Sequence, residues 1–232
     1  MRFAHAAVEP EVVLRGERDA VLRKPAGMSS EAPGPASGEP RTLIEHARRM
    51  LSWPDAQLPH RLDRVTRGWV VVARDRAAVA EHNASLPSWT KRYVARVRPA
   101  AGIDPRALVG EHRAYLRREG RVARVVRSGG DPSRLTVEAL HPAPGRTGEW
   151  HALIRLGTGR YHQVRAMMAH LGVSLVGDRE YGGAPGPMYL EHAWLGFRRA
   201  GDGRTEVAWD PSDPGREPVS AELRAALDAA VP

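Results

Sequence analysis

The sequence contains no cysteine, which removes disulfides, thiolate nucleophiles and cysteine-ligated zinc together. Lysine is almost missing too: Lys24 and Lys91 are the only two, so 33 of the 35 cations are arginine. Aromatic residues are sparse, and no apolar run approaches the roughly 20 residues of a membrane-spanning helix. The opening stretch, MRFAHAAVEPEVVLRGERD, lacks the continuous apolar segment of a cleaved secretory signal. A cytoplasmic protein is the expectation. There are ten histidines, yet none falls in HExxH, and His162 and His170 stand eight apart, so no metal is expected. GTGRYH lacks the GK[ST] of a phosphate loop, no GxGxxG follows a strand pattern, and GxSxG does not occur. Neither a nucleotide cofactor nor a serine nucleophile is indicated.

What is abundant is arginine. The 232 residues carry a formal net charge of +8 and a sequence pI near 10.6. Guanidinium groups fork onto phosphates and stack on bases, so such a surface suits a nucleic acid. A hydrophobic content of 42% is ordinary for a globular chain, and the length suits a single domain over 1–232.

Along the chain, 11–27 reads as two short strands around a polar turn, and 28–40, rich in Ser, Pro and Gly, reads as a flexible loop. Thr42-Leu43-Ile44-Glu45 is a capping-box pattern opening a helix. GWVVVA at 68–73 is a buried-type strand, and Asp75 is placed to cap a helix through about Asn83. Strands are expected over 92–97, 135–140 and 150–156. The stretch 110–134 is arginine-heavy and weakly patterned. In 157–172, glycines make a tight entry, Val164, Met167, Met168 and Leu171 form an apolar stripe, and Gly172 suits the C′ position. On that register Arg165 lies off the stripe, free to face a cleft. A short strand and turn at 173–183 and a helix over 220–230 complete the expectation. Strands in runs rather than in alternation with helices argue for an α+β fold with a mixed, largely antiparallel sheet.

One segment is chemically odd. In LPHRLDRVTRGW a single acid, Asp63, sits among Arg61, Arg64 and Arg67. Either the acid is a structural peg for the arginines, or the arginines attract a polyanion on which the acid acts. His60-Arg61-Leu62-Asp63 followed by Thr66 and Gly68 resembles the HRLD-x-x-T-S-G signature of the RluA family of RNA pseudouridine synthases. Lys24-Pro25-Ala26-Gly27 is similar to that family's KPAG, and Lys91 to Val97 to its K-x-Y-x-A-x-V. Gly159 to Arg165 resembles GR-T-HQIR, Gly177-Asp178 with Tyr181-Gly182 its GD-x-x-YG, and Leu190-Glu191-His192-Ala193 its closing LHA. All six occur in the family's order.

The resemblance implies a pseudouridine synthase catalytic fold with flanking helices and a central basic cleft. It implies an isomerase that breaks the bond from uracil N1 to ribose, turns the base and rejoins it through C5, with no cofactor. Asp63 becomes the catalytic carboxylate, kept ionised by a guanidinium assigned by family position to Arg165. Tyr93 would stack on the flipped uracil. Arg61 would enter the RNA stack in place of the extruded base, offsetting the cost of unstacking. His60, Arg160, His162 and Gln163 belong to the implied substrate-binding set, the last two by orienting the loop.

Three departures stand out: Arg67 for the family Ser, Tyr161 for Thr, and LEHA for LHA. The short stretch ahead of KPAG cannot hold the S4-type RNA-binding domain of many relatives, so a catalytic domain alone, monomeric, is expected. The partner would be a structured rRNA or tRNA. The alternative is a non-catalytic RNA-binding or ribosome-assembly protein on the same fold.

Overall fold

The computed structural model describes residues 9–31 and 42–229. They group into two compact units, Met1–Trp89 with Phe197–Ala208 and Thr90–Gly196 with Trp209–Pro232.

In the first unit, β1 (Glu11–Arg15), β2 (Asp19–Lys24) and β3 (Arg67–Ala73) form an antiparallel ribbon in that order. β3 reads Val70-Val71-Val72 because both its faces are covered; all three are fully buried. The capping box at Thr42 forms in full. Its side chain accepts from the Glu45 amide at 3.4 Å, the Glu45 carboxylate accepts from the Thr42 amide at 2.9 Å, and helix α1 (Leu43–Leu51) follows. Asp75 caps α2 (Arg76–Ser85) by accepting from the Ala78 amide at 2.9 Å. Of the loop expected over 28–40, residues 32–40 lie outside the described residues; Ser29 bridges to Thr42.

The second unit is built on six strands in the order β9-β4-β8-β7-β5-β6. They are β4 (Thr90–Val97), β5 (Gly110–Glu119), β6 (Val122–Val126), β7 (Asp131–Pro142), β8 (Trp150–Leu156) and β9 (Leu190–Arg198). The ladders β9/β4, β4/β8, β8/β7, β7/β5 and β5/β6 all run antiparallel. A further strand, β10 (Thr205–Ala208), belongs to the first unit. Helix α3 (Gln163–His170) packs on β6. Gly172 takes φ +78° beyond its end, as the C′ reading requires. The C-terminal helix α4 covers Ala221–Asp228 behind a Ser220 cap; residue 230 of the expected helix lies outside the described residues.

Two expectations need correction. The stretch 110–134 is not patternless: it forms β5, β6 and the start of β7. Its alternation is shallow, with Leu116, Ala123 and Ser133 buried and arginines facing out, so a search for large apolar alternation passes over it. The strand expected within 173–183 is only an isolated bridge, Leu175 to Val97, followed by a 3-10 turn at Arg179–Tyr181. Gly177 and Gly182, at φ +81° and +72°, end any extension there.

The second unit also buries an ion pair that locks its C-terminal segment. Glu191 of β9, 1% exposed, takes a bidentate contact from Arg216, Nε and Nη2 each at 3.0 Å, and accepts from the Tyr189 hydroxyl.

Candidate active site

Asp63 lies half-buried on the loop leading into β3, and its carbonyl accepts from the Thr66 amide at 3.0 Å to close a turn. The loop is clamped to the 24–30 segment from both sides of the acid. Before it, Ser30 Oγ donates to the Leu62 carbonyl at 2.7 Å and accepts from the Leu62 amide at 3.2 Å. After it, the Gly27 amide donates to the Arg64 carbonyl at 2.7 Å while Arg64 Nε donates to the Gly27 carbonyl at 2.8 Å. Gly27 sits at φ +88°, a conformation an L side chain rarely adopts, so the KPAG turn needs glycine there.

Lys24 holds this clamp together. Fully buried, its ammonium donates to the carbonyls of Pro25 at 2.9 Å, Met28 at 2.8 Å and, more weakly, Arg64 at 3.4 Å. Burial pushes its pKa down to about 7, and the charge of Asp63 opposes that fall. The sequence placed Lys24 in a motif without giving it a task. Of the arginines around Asp63, Arg64 is committed to the loop backbone, and Arg61 is 66% exposed with Glu31 at 3.9 Å. His60 is occupied inside the fold: its Nε2 accepts from the Val71 amide at 3.0 Å, and its ring meets Trp89 edge-on at 5.3 Å.

In the second unit, Arg165 stands in the first turn of α3 and is buried rather than free. Asp178, 1% exposed in its side chain, binds it bidentately, Nε to Oδ2 and Nη2 to Oδ1 both at 2.6 Å, and Glu180 Oε2 accepts from Nη2 at 2.6 Å. The cleft-facing reading missed this, because the acids arrive from a turn thirteen residues on. Arg165 Nη1 also lies 2.9 Å from His162 Nε2, and its guanidinium covers the Tyr181 ring at 4.9 Å. The Tyr181 hydroxyl accepts from the Ala123 amide at 2.7 Å and touches His162 Nδ1 at 3.0 Å; burial pushes its pKa up.

His162 adopts φ +51°, the left-handed region, which turns the loop into the helix. Gln163 fixes that loop with its whole amide: Oε1 accepts from the Arg160 amide at 3.0 Å and from Thr158 Oγ1 at 2.8 Å, and Nε2 donates to the Arg134 carbonyl at 2.9 Å. The Arg160 side chain is exposed and reaches the Pro132 carbonyl at 3.4 Å.

Tyr93 lies in β4, 7% exposed, stacked on His192 of β9 at 4.6 Å and 14°. A bulge makes this stack. Arg92 opposes Trp194 and Tyr93 opposes His192, so Ala193 is the extra residue on β9. Lys91, two residues before, is pushed down to about 8 by burial.

Solved structures share this fold. Human RNA Pseudouridylate Synthase Domain Containing 1 superposes with a TM-score of 0.68 over 95% of both chains at 22% identity. Human RNA Pseudouridylate Synthase Domain Containing 4 does so at 0.59, covering 80% of this chain and 83% of that one at 17% identity. The RNA pseudouridylate synthase family model matches residues 20–170, and the chain belongs to that family. It is 32% identical over 181 residues to ribosomal large subunit pseudouridine synthase D of Pseudomonas aeruginosa, covering 76% of this chain and 54% of that one. The protein of the same name from Escherichia coli K12 is 28% identical over 203 residues, covering 80% and 56%. The chain spans about half the length of these curated relatives.

Proposed function

We propose that this chain isomerises uridine to pseudouridine in RNA, with Asp63 as the reacting carboxylate and Tyr93 and Arg165 completing the catalytic set. The observation that carries the reading is the clamp on either side of Asp63, which holds one carboxylate at a fixed place beside a buried lysine. Such rigidity is what a group acting on an extruded base requires. Membership of the family supports the reaction type. The relatives' names support ribosomal RNA of the large subunit as the substrate to test first. Arg61, exposed next to the acid, is proposed to fill the gap left in the RNA stack. A monomer working in the cytoplasm without a nucleotide cofactor is part of the same proposal.

The test is a pseudouridine map of total RNA from a strain lacking the gene, after incubation with purified protein. New pseudouridine at defined uridines is expected from the parent, and none from Asp63→Asn at unchanged RNA affinity. A parent that modifies no uridine while binding RNA tightly would favour the assembly-factor alternative instead.

A further inference from the structure

We propose that the outer face of β5, β6 and β7 is a second RNA-docking platform, which binds an unpaired strand outside the site of reaction. The proposal rests on the reading of the chain as an RNA-modifying enzyme and adds to it how the RNA is held. On this face the register sets Arg113 directly opposite Arg134 and Arg117 directly opposite Arg124. Like charges facing each other across a ladder destabilise a sheet, so two such pairs are a cost the fold alone does not explain.

Each pair is bridged by one acid, Glu111 between Arg113 and Arg134 and Glu119 between Arg117 and Arg124. All four arginine side chains are more than half exposed. Residues 110–134 hold seven arginines and three acids, half the net charge of the whole chain.

Between the two pairs stands Tyr115, 47% exposed, with no ring or cation partner among the described residues. An aromatic ring presented on an open sheet between guanidinium groups is what a base can stack on while phosphates meet the arginines. The face borders an open groove of about 800 Å³ lined by Arg113, Tyr115, Arg127, Pro132, Arg134 and His170. Arg127 has no acid within ion-pair distance among the described residues.

The other side of β5, to which Arg118 points, anchors the loop that carries Arg160 and His162. Arg118 covers the Tyr161 ring at 4.4 Å, Tyr161 stacks on His162 at 3.9 Å, and the Tyr161 hydroxyl donates to the Arg121 carbonyl at 3.1 Å. Tyr161 is a departure from the family pattern, and here it ties this loop to the inner side of β5 and to the turn before β6.

The probe is a fluorescein-labelled, uridine-rich single-stranded RNA, titrated by anisotropy at rising KCl against the parent, Arg117→Gln/Arg124→Gln, Tyr115→Ala and Tyr115→Phe. Each phosphate contact contributes about 0.7 to the slope of log affinity against log salt, so the double variant is expected to lower that slope by about 1.4. Tyr115→Ala is expected to bind about tenfold more weakly at an unchanged slope, with Tyr115→Phe matching the parent. Slopes and affinities equal to the parent's in all variants overturn the proposal and leave the arginines as guards against edge-to-edge pairing. Pseudouridine formation is followed in parallel. A parent that forms none, but whose binding falls in these variants, refutes the enzymatic reading and leaves the platform standing. Active variants that bind like the parent do the reverse.

Discussion

The two units each bury a cation near the residues singled out for chemistry, and they do so in opposite ways. Lys24 is held by neutral carbonyls, with Asp63 a more distant influence, and burial brings its proton within reach of neutral pH. Arg165 is held by a fork of carboxylate oxygens at 2.6 Å, and a guanidinium stays charged at any pH a protein survives. The first arrangement can titrate; the second is a fixed charge. A lysine in a chain that otherwise uses arginine almost everywhere therefore marks a place where a compact, titratable charge is needed.

The strongest way to break this contrast is Arg165→Met. It strands Asp178 and Glu180 without their cation, and losing one partner of a buried pair costs about 3–5 kcal/mol. Urea denaturation at pH 7 is expected to show that loss, with Asp178→Asn partly restoring stability when combined with it.

Lys24→Met sharpens the contrast through pH. The folded pKa of about 7 lies below the ordinary 10.5. Below pH 7 both folded and unfolded chains are protonated, and the full cost of burying the charge is present. As pH rises from 7 towards 10.5 the folded state sheds the proton while the unfolded state keeps it, so stability increases. Relative to Lys24→Met, the parent is expected to gain about 1.4 kcal/mol per pH unit in that window, roughly 2–3 kcal/mol by pH 9. Melting curves from pH 6 to 9 would check it, and a flat difference would mean that Lys24 keeps its proton throughout.

The smallest effect is expected at the exposed extreme. Arg61→Ala should change stability by less than about 0.5 kcal/mol, yet lower the rate of uridine modification. A melting temperature like the parent's beside a reduced turnover would separate an RNA-facing cation from the two buried ones.

Much of the first unit was legible because its signals are local. The Thr42 box, the Asp75 cap and the Val70-Val71-Val72 strand need only near neighbours in sequence. The second unit was harder to read. β5 and β6 hide behind outward arginines, and β9, which carries His192, was not recognised because Glu191, His192 and Gly196 interrupt its apolar run. The carboxylates that bury Arg165 come from a separate turn, and neither spacing nor periodicity links Asp178 to it. Lys24 and Asp178 were both quoted within motifs; what was missing was the contact that gives each its task.

The pair between Glu191 and Arg216 reaches beyond local packing. A chain that stopped between β10 and residue 216 would leave Glu191, buried in the second unit, without the guanidinium that neutralises it. Shortening the gene at the end of β10 is therefore expected to destabilise the second unit by about 3–5 kcal/mol rather than merely trim it.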